Sequence, residues 1–224
     1  HSPQNVALYS FALGAVCVLG LQLARYGPLP CALGIYITAL ALFHYLEYFA
    51  TALWNGHKVN LDSFLLDHSS AYHLANGAGV VEFLLEWLLT PEWKQPGCCA
   101  DRMDAPLSIG FLLVIGGQLA RTLAMATAGR SFNHFVQDRR EAGQQLVTQG
   151  IYAWMRHPSY FGFYFWALGT QLMLANPFSF MAFIVVLHRF FSERIVYEER
   201  ALIRIFGRSY VDYKQLVGIM MPFI

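Results

Sequence analysis

The chain of 224 residues is 56% hydrophobic and 16% aromatic, and only 13% of its residues are charged. A soluble domain carries about 25% charged residues, so this composition indicates a membrane protein. A formal net charge of +1 gives no electrostatic basis for binding nucleic acid, and we exclude that class of function.

The chain begins at His1, so we expect that an N-terminal piece precedes it. The first apolar stretch has no basic lead-in and is too long for a cleavable signal peptide. Six apolar stretches predict membrane-spanning helices, because a helix needs about 20 mostly apolar residues to cross a bilayer. They lie at residues 6–24, 31–54, 72–89, 107–126, 160–174 and 178–196.

The predicted fold is therefore an all-α, polytopic helical bundle. Asn176 and Pro177 separate the last two spans as a tight hairpin, since proline cannot continue a helix and restricts the residue before it. We divide one integrated domain into residues 1–128, with the first four spans, and residues 129–224, with a polar connector, the helical hairpin and a C-terminal catalytic segment.

The connector between the fourth and fifth spans is polar and glycine-punctuated, and an irregular segment of about 30 residues is usually functional or disordered. Its recurring apolar side chains favour an ordered segment. After the sixth span, the pattern predicts a helix leaving the membrane, a turn at Gly207 and a short amphipathic helix. Because Arg121 and later residues supply eleven of the fifteen lysines and arginines, we expect the connector and the C-terminal segment to be cytosolic.

Two charged pairs stand out near the last two spans. Arg156 and His157 precede Pro158 at the start of the fifth span, and burying them beside lipid costs several kcal/mol unless they are paired. Arg194 and Glu198 are four residues apart and so share a helical face. The plain interpretations are a snorkelling arginine and a surface ion pair. The functional interpretation is that Arg194 holds a carboxylate through parallel hydrogen bonds while Glu198 accepts from amino or hydroxyl groups.

Five segments carry a resemblance to a known family. They are LVTQGIYAWMRHPSYFGFYFWALGTQLMLANP, HRFFSERIVYEERALIRIFGRSYVDYKQLV, LFHYLEYFATALWN, LDSFLLDHSSAY and AGRSFNHFVQ. Together they resemble the isoprenylcysteine carboxyl methyltransferase family over nearly the whole chain beyond about Tyr36. The RHPxYxG, Asn-Pro and Glu-Glu pattern alone is shared with other membrane methyltransferases and some sterol reductases, so the upstream segments are the specific ones.

The resemblance implies a multi-pass enzyme of the endoplasmic reticulum membrane with a cytosolic active site. It implies transfer of a methyl group from S-adenosylmethionine to the C-terminal carboxylate of a farnesylated or geranylgeranylated cysteine in CaaX-processed proteins. The lipid substrate would enter from the bilayer and the cofactor from the cytosol. Members of the family typically have eight spans, and we expect that the first two are absent from this chain.

The resemblance also assigns roles to residues. Arg194 matches the arginine that binds the substrate, and we place Arg156 near the same site as a second catalytic residue. Gln144 and Gln145 stand where a His-Thr pair is familiar in the family. The residues implied to bind the cofactor are Gln137, Gln144, Gln145, Leu146, Val147, Tyr152, His157, Pro158, Ser159, Tyr160 and Glu198.

The implied reaction needs no general base, because a carboxylate with a pKa near 4 is already ionised at neutral pH. We therefore expect no catalytic triad and no metal. Three alternatives remain open: a phospholipid N-methyltransferase, whose amine would need a base; a sterol-type reductase, which would need a basic site for NADPH; and a transporter, for which no inverted repeat is visible.

Several other features are assigned structural roles. The four cysteines have no zinc or disulfide-framework spacing and are expected to be free thiols. His68 and His73 lack the HExxH spacing of a zinc site. The glycines of residues 77–82 have no strand before them, so close helix packing explains them better than dinucleotide binding. The intramembrane acids Glu47, Glu82 and Glu86 are expected to pair across the bundle, although acids at such positions are functional candidates by default.

Overall fold

The structure, a computed structural model, describes residues 2–26, 31–67, 69–94, 105–141, 143–222 and 224, with the side chain of Trp93 left out. Across these residues the secondary structure is helical, without a strand, as the composition predicts. The helices are α1 (Pro3–Tyr26), α2 (Cys31–Trp54), α3 (Ser70–Leu89), α4 (Pro91–Lys94), α5 (Ala105–Ala128), α6 (Pro158–Met173), α7 (Pro177–Phe206) and α8 (Arg208–Leu216). Short 3₁₀ turns occupy Leu61–Phe64, Gly129–Ser131 and Gly150–Ala153.

Each of the six apolar stretches forms a helix where the sequence predicts one. By length and apolar composition, three helical segments in the described part of the chain are sufficient to cross a membrane: Pro3–Tyr26, Cys31–Trp54 and Ala105–Ser131. Helix α6 has 16 residues, below the length of about 20 that a perpendicular span needs. The structure therefore supports a helical membrane protein, while the number of spans stays a prediction.

Helices α5 and α6 pack closely through glycines. A Cβ atom at Gly162 would lie 2.6 Å from the Gly117 carbonyl oxygen, and one at Gly169 would lie 2.8 Å from that of Gly110. Small residues at these four positions allow the two backbones to approach, as in other membrane helix pairs. This contact fixes the start of α6 against the end of α5, where the connector leaves the bundle.

The hairpin between α6 and α7 is held by side chains from α3 and α4. Lys94, which is 2% exposed, donates to the carbonyls of Leu174 and Ala175 and also pairs with Glu86. These carbonyls follow the end of α6, where no intrahelical donor remains for them. Glu82 accepts from the backbone N–H groups of residues 178 and 179, at 2.8 and 2.7 Å, at the start of α7.

The intramembrane acids are therefore paired across the bundle, which confirms the prediction for them. Glu82 caps α7, Glu86 pairs with Lys94, and Glu47 forms an ion pair with Arg121 of α5. Gly79 likewise has a packing role, since a Cβ there would lie 2.6 Å from the side-chain oxygen of Gln171.

The expectation of free thiols is correct at Cys17 and wrong at Cys31. Cys17 is a free cysteine, whereas Cys31 is disulfide-bonded. Spacing rules detect compact frameworks of several bridges, and they give no signal for a single bridge formed from Cys31. Cys98 and Cys99 lie outside the described residues, as does His68.

The connector is ordered, as its apolar side chains predict. Lys58, from the turn after α2, forms an ion pair with Glu141 of the connector. Asp138 accepts hydrogen bonds from Tyr197 and Arg204 of α7, at 3.0 and 2.9 Å. The connector thus lies across the same end of the bundle as the second half of α7. Gly207, with φ of +58°, then turns the chain from α7 into α8, as predicted.

Candidate active site

A cavity with polar and apolar walls opens where the connector, the start of α6, the second half of α7 and α8 meet. The cavity and its open mouth together enclose about 810 Å³. Its walls come from four parts of the chain that are distant in sequence. They are lined by Arg121, Ala128, Ser131, Phe132, Asn133, His134, Gln144, Gln145, Leu146, Val147, Tyr152, Arg156, His157, Pro158, Ser159, Tyr160, Glu198, Leu202, Phe206, Tyr210 and Tyr213.

The structure brings together most of the residues that the sequence singled out. Apart from Gln137 and Arg194, every predicted cofactor, catalytic and substrate residue lines this one cavity. Gln137 instead directs its side-chain amide at the Phe135 carbonyl, at 3.4 Å. Arg194 lies behind the wall formed by Tyr160, which it contacts directly.

The guanidinium of Arg194 is held at two points and has no acidic partner among the described residues. Its Nε donates to the Tyr160 hydroxyl at 2.8 Å, and its Nη2 donates to the His134 carbonyl at 2.7 Å. The guanidinium also lies over the Tyr160 ring, 5.5 Å from its centre. A half-buried cation whose charge no carboxylate balances is suited to an anionic ligand.

Glu198 is an acidic residue of the cavity wall with one oxygen that lacks a hydrogen-bond donor in the described structure. Its Oε2 is buried and has no hydrogen-bond partner in the described structure; the nearest cation-forming atom is Nδ1 of His157, at 3.7 Å. Arg194 and Glu198, both among the described residues, form no ion pair, so the surface-pair interpretation is wrong for them. A buried carboxylate oxygen without a donor is costly and is typical of a position that a ligand completes.

The side chains of Arg156 and His157 are largely buried, and both contact the carboxylate of Glu199, the neighbour of Glu198. Arg156 pairs with Glu199 at 2.8 Å and also donates to the Val217 carbonyl after α8. His157 Nε2 lies 3.3 Å from the same carboxylate, and Lys214 of α8 completes the cluster. Burial alone would raise the pKa of the Glu199 carboxyl, but hydrogen bonds from His157, Lys214 and Arg156 outweigh it and lower the pKa to about 2.

Tyrosines from the connector and from α8 form part of the cavity wall. The Tyr213 hydroxyl donates to the Tyr152 carbonyl at 2.6 Å, and the Tyr152 hydroxyl donates to the Ala124 carbonyl at 3.4 Å. Burial raises the pKa of Tyr213 to about 12 and raises that of Tyr152 further, so both hydroxyls are neutral. The buried hydroxyl of Tyr210 has no hydrogen-bond partner in the described structure.

Gln144 and Gln145 reach the cavity mainly as part of a turn. Gln144 Oε1 accepts from the Glu141 backbone N–H at 3.1 Å, and its carbonyl accepts from Arg140. The backbone N–H of Gln145 donates to the Ser131 hydroxyl at 3.0 Å. The Gln144 side chain therefore stabilises its own turn, and a different residue there need not change what the cavity presents to a ligand.

The sequence reasoning missed two residues at the base of the cavity. Arg121 donates to both carboxylate oxygens of Glu47 and, at 2.9 Å, to the Ser159 hydroxyl. His134 Nε2 lies 3.0 Å from Glu47. An arginine inside a predicted span is itself a signal, because charged residues in membranes are expensive and usually serve a purpose. In the part of the chain that the structure describes, no group of three or more His, Cys, Asp or Glu could hold a metal ion.

The fold and the cavity define the class of protein, a helical membrane protein with an open-mouthed cavity of polar and apolar side chains at one end of the bundle. Comparison with known proteins defines the family. The family model described as isoprenylcysteine carboxyl methyltransferase matches residues 109–204. The protein-S-isoprenylcysteine O-methyltransferase of Saccharomyces cerevisiae is 48% identical over 191 residues, covering 85% of this chain and 79% of that protein.

The corresponding Homo sapiens protein is 41% identical over 221 residues, covering 98% of this chain and 75% of its own length. A solved structure of the eukaryotic intramembrane Ras methyltransferase ICMT superposes with a TM-score of 0.88 at 40% identity, over 95% of this chain and 74% of that one. The chain belongs to the isoprenylcysteine carboxyl methyltransferase family, as the sequence resemblance indicates.

Proposed function

We propose that this chain transfers the methyl group of S-adenosylmethionine to the C-terminal carboxylate of a prenylated cysteine. The observation that carries the proposal is the pair of opposite, unbalanced charges beside one cavity, Arg194 and Glu198. The names of the relatives supply the substrate class, isoprenylcysteine. An anionic acceptor would pair with Arg194, and a cationic methyl donor would pair with Glu198.

The residues of the cavity fit S-adenosylmethionine. The unpartnered Oε2 of Glu198 requires a donor, and the ammonium, ribose hydroxyls and adenine amino group of that molecule are donors. Leu146, Val147, Leu202 and Phe206 offer an apolar wall for a flat base. When bound, S-adenosylmethionine supplies an electrophilic methyl group on a positively charged sulfur.

The chain's own contribution is orientation and exclusion of water. Arg194, held by Tyr160 and by the His134 carbonyl, would orient the acceptor carboxylate without withdrawing its charge completely. The carboxylate is ionised at neutral pH, so the site needs no general base. Alignment at attack distance and preorganised polar groups lower the barrier to transfer. Arg156 would keep the wall in place through Glu199, close to the reacting groups.

The membrane arrangement is part of the same proposal. We infer six spans in an endoplasmic reticulum membrane, with the connector, the turn after α2 and the C-terminal segment all on the cytosolic side. The ion pair of Lys58 with Glu141 supports placing the first two at one end, and the contacts of Lys94 with residues 174–176 support an opposite end. The prenyl chain would then enter between helices from the bilayer, and the donor from the cytosol.

The test is an assay of the purified protein in detergent or lipid. The protein is incubated with methyl-labelled S-adenosylmethionine and a farnesylcysteine analogue that carries a free carboxylate. We expect label in the acceptor that base hydrolysis releases as methanol, because a methyl ester is base-labile. Label in phosphatidylethanolamine, stable to base, would instead support the lipid N-methyltransferase alternative, and no transfer to either acceptor would refute methyl transfer.

A further inference from the structure

The buried carboxylate of Glu47 makes one contact beyond what its charge requires. Glu47 is 1% exposed, and Arg121 already balances its charge with hydrogen bonds to both carboxylate oxygens. His134 adds a third hydrogen bond, from Nε2, at 3.0 Å. A buried carboxylate with an arginine partner is stable without a histidine, so this third contact points to a role for the histidine itself.

That role follows from the backbone of His134. Its carbonyl accepts the Nη2 hydrogen bond of Arg194 at 2.7 Å, while the Tyr160 hydroxyl accepts from Nε. Two fixed acceptors define the plane of the guanidinium, and Nη1 donates no hydrogen bond to any described residue. The orientation of the free edge of Arg194 therefore depends on where the His134 carbonyl lies.

The position of that carbonyl depends in turn on Glu47. His134 belongs to the connector, which has no regular helix at this point, and its ring is 15% exposed. The ring packs edge-on against Phe132 and is tied to α2 through Glu47. Asn55, directly after α2, also donates to the Phe132 carbonyl at 2.8 Å, so the segment stays attached there, and the Glu47 hydrogen bond is the contact that fixes the His134 side chain itself.

We propose that His134, anchored by Glu47, is a positioning residue that sets the orientation of Arg194 toward the acceptor carboxylate. The proposal rests on the function proposed above. It assigns a purpose to an intramembrane acid that the transfer reaction does not otherwise use. Catalysis is sensitive to such alignment, because a displacement of about 1 Å at a positioned group can cost 100-fold in rate.

The test is a double-mutant cycle on kcat/KM for the prenylcysteine acceptor in the purified enzyme. His134→Phe keeps an aromatic ring but removes the donor, and His134→Gln keeps a donor within reach of Glu47. Arg194→Lys removes the planar group that bridges Tyr160 and the His134 carbonyl. We expect a loss of roughly tenfold for H134F, the size of one hydrogen bond to a charged group, and recovery of most of that loss in H134Q.

The decisive comparison is H134F in the R194K background, where we expect less than about a twofold further loss because the two residues act through one contact. Arg139→Ala, an exposed change in the same connector, serves as the control and should match wild type. Additive losses, or equal losses for H134F and H134Q, would overturn the proposal even though the wild-type enzyme forms the ester. A wild-type enzyme that forms no ester would instead overturn the proposed function and this inference together.

Discussion

At the scale of single residues, the site is defined by which charges lack a partner. Most acids and bases near the cavity are paired: Glu47 with Arg121, and Glu199 with both Arg156 and Lys214. In the described part of the chain, Arg194 has no acidic partner, and Glu198 has only the Tyr160 hydroxyl and the His157 ring, 3.7 Å away, beside it, with no hydrogen bond to its Oε2. Half-buried charged groups with so few protein partners are the best candidates for ligand contacts.

Removing the Arg194 side chain should abolish transfer while leaving the fold intact. Arg194→Ala loses the group that we expect to orient the acceptor, and we expect kcat/KM to fall at least about 100-fold. Arg194 is only half-buried and forms no ion pair in the described structure, so the midpoint of thermal unfolding should change little. Arg189→Ala, an exposed arginine on the same helix, is the matched control. Near-normal turnover in R194A would refute the substrate role.

Glu199 should make the free energy of unfolding depend on pH only under acidic conditions, below about pH 4.5. Its pKa is lowered from an ordinary value of 4.5 to about 2 in the folded protein. The stabilisation that it contributes is therefore complete above about pH 4.5 and is lost as the pH falls from there toward 2. Unfolding measured between pH 7 and 3 should show this loss in the wild type and a shallower one in Glu199→Gln. Identical acid profiles would contradict the role of the carboxylate cluster.

At the scale of helices and turns, local chemistry explains most boundaries. Pro158 and Pro177 begin α6 and α7, and Gly207 ends α7 in a backbone conformation that favours glycine. These features were predictable from sequence alone. The route of the connector was not, because its position depends on long-range contacts such as that of Lys58 with Glu141 and that of Asp138 with Arg204.

The close packing of α5 and α6 gives a sharp pair of variants. Gly162→Ala would force a Cβ to within 2.6 Å of the Gly117 carbonyl oxygen, so we expect destabilisation of about 1–3 kcal/mol. Gly116→Ala, on α5, meets nothing within 4 Å, so we expect a gain of about 0.5–1 kcal/mol from the higher helix propensity of alanine. Thermal unfolding in detergent would compare the two. Equal effects would contradict the packing of these helices.

At the scale of the whole molecule, the sequence predicted the helical architecture and about half of the residues that line the cavity. The resemblance located the lining residues 144–147, Tyr152 and 157–160, because they are close in sequence. It did not locate Arg121 or His134, which reach the cavity only when α5 and the connector fold against α2. It also gave no sign that Arg194 would lie behind Tyr160 rather than in the cavity wall.

The proposed topology can be tested by cysteine labelling in sealed microsomes whose cytosolic face is outward. Arg139→Cys in the connector should react with a membrane-impermeant maleimide, because we place it in the cytosol. Glu92→Cys in α4, at the opposite end, should react only after detergent opens the vesicles. Labelling of the unmodified chain gives the background. The reverse pattern would contradict the proposed orientation.

Arg194 and Glu198, four positions apart, are assigned to different ligands: Arg194 to the anionic acceptor and Glu198 to the cationic methyl donor. The most direct measurement is the KM for each substrate in Arg194→Lys and in Glu198→Gln. We predict that R194K raises the KM for the prenylcysteine acceptor while leaving that for S-adenosylmethionine near its wild-type value, and that E198Q does the opposite. If either variant shifts both KM values equally, or if the two effects are exchanged, the assignment of roles is wrong.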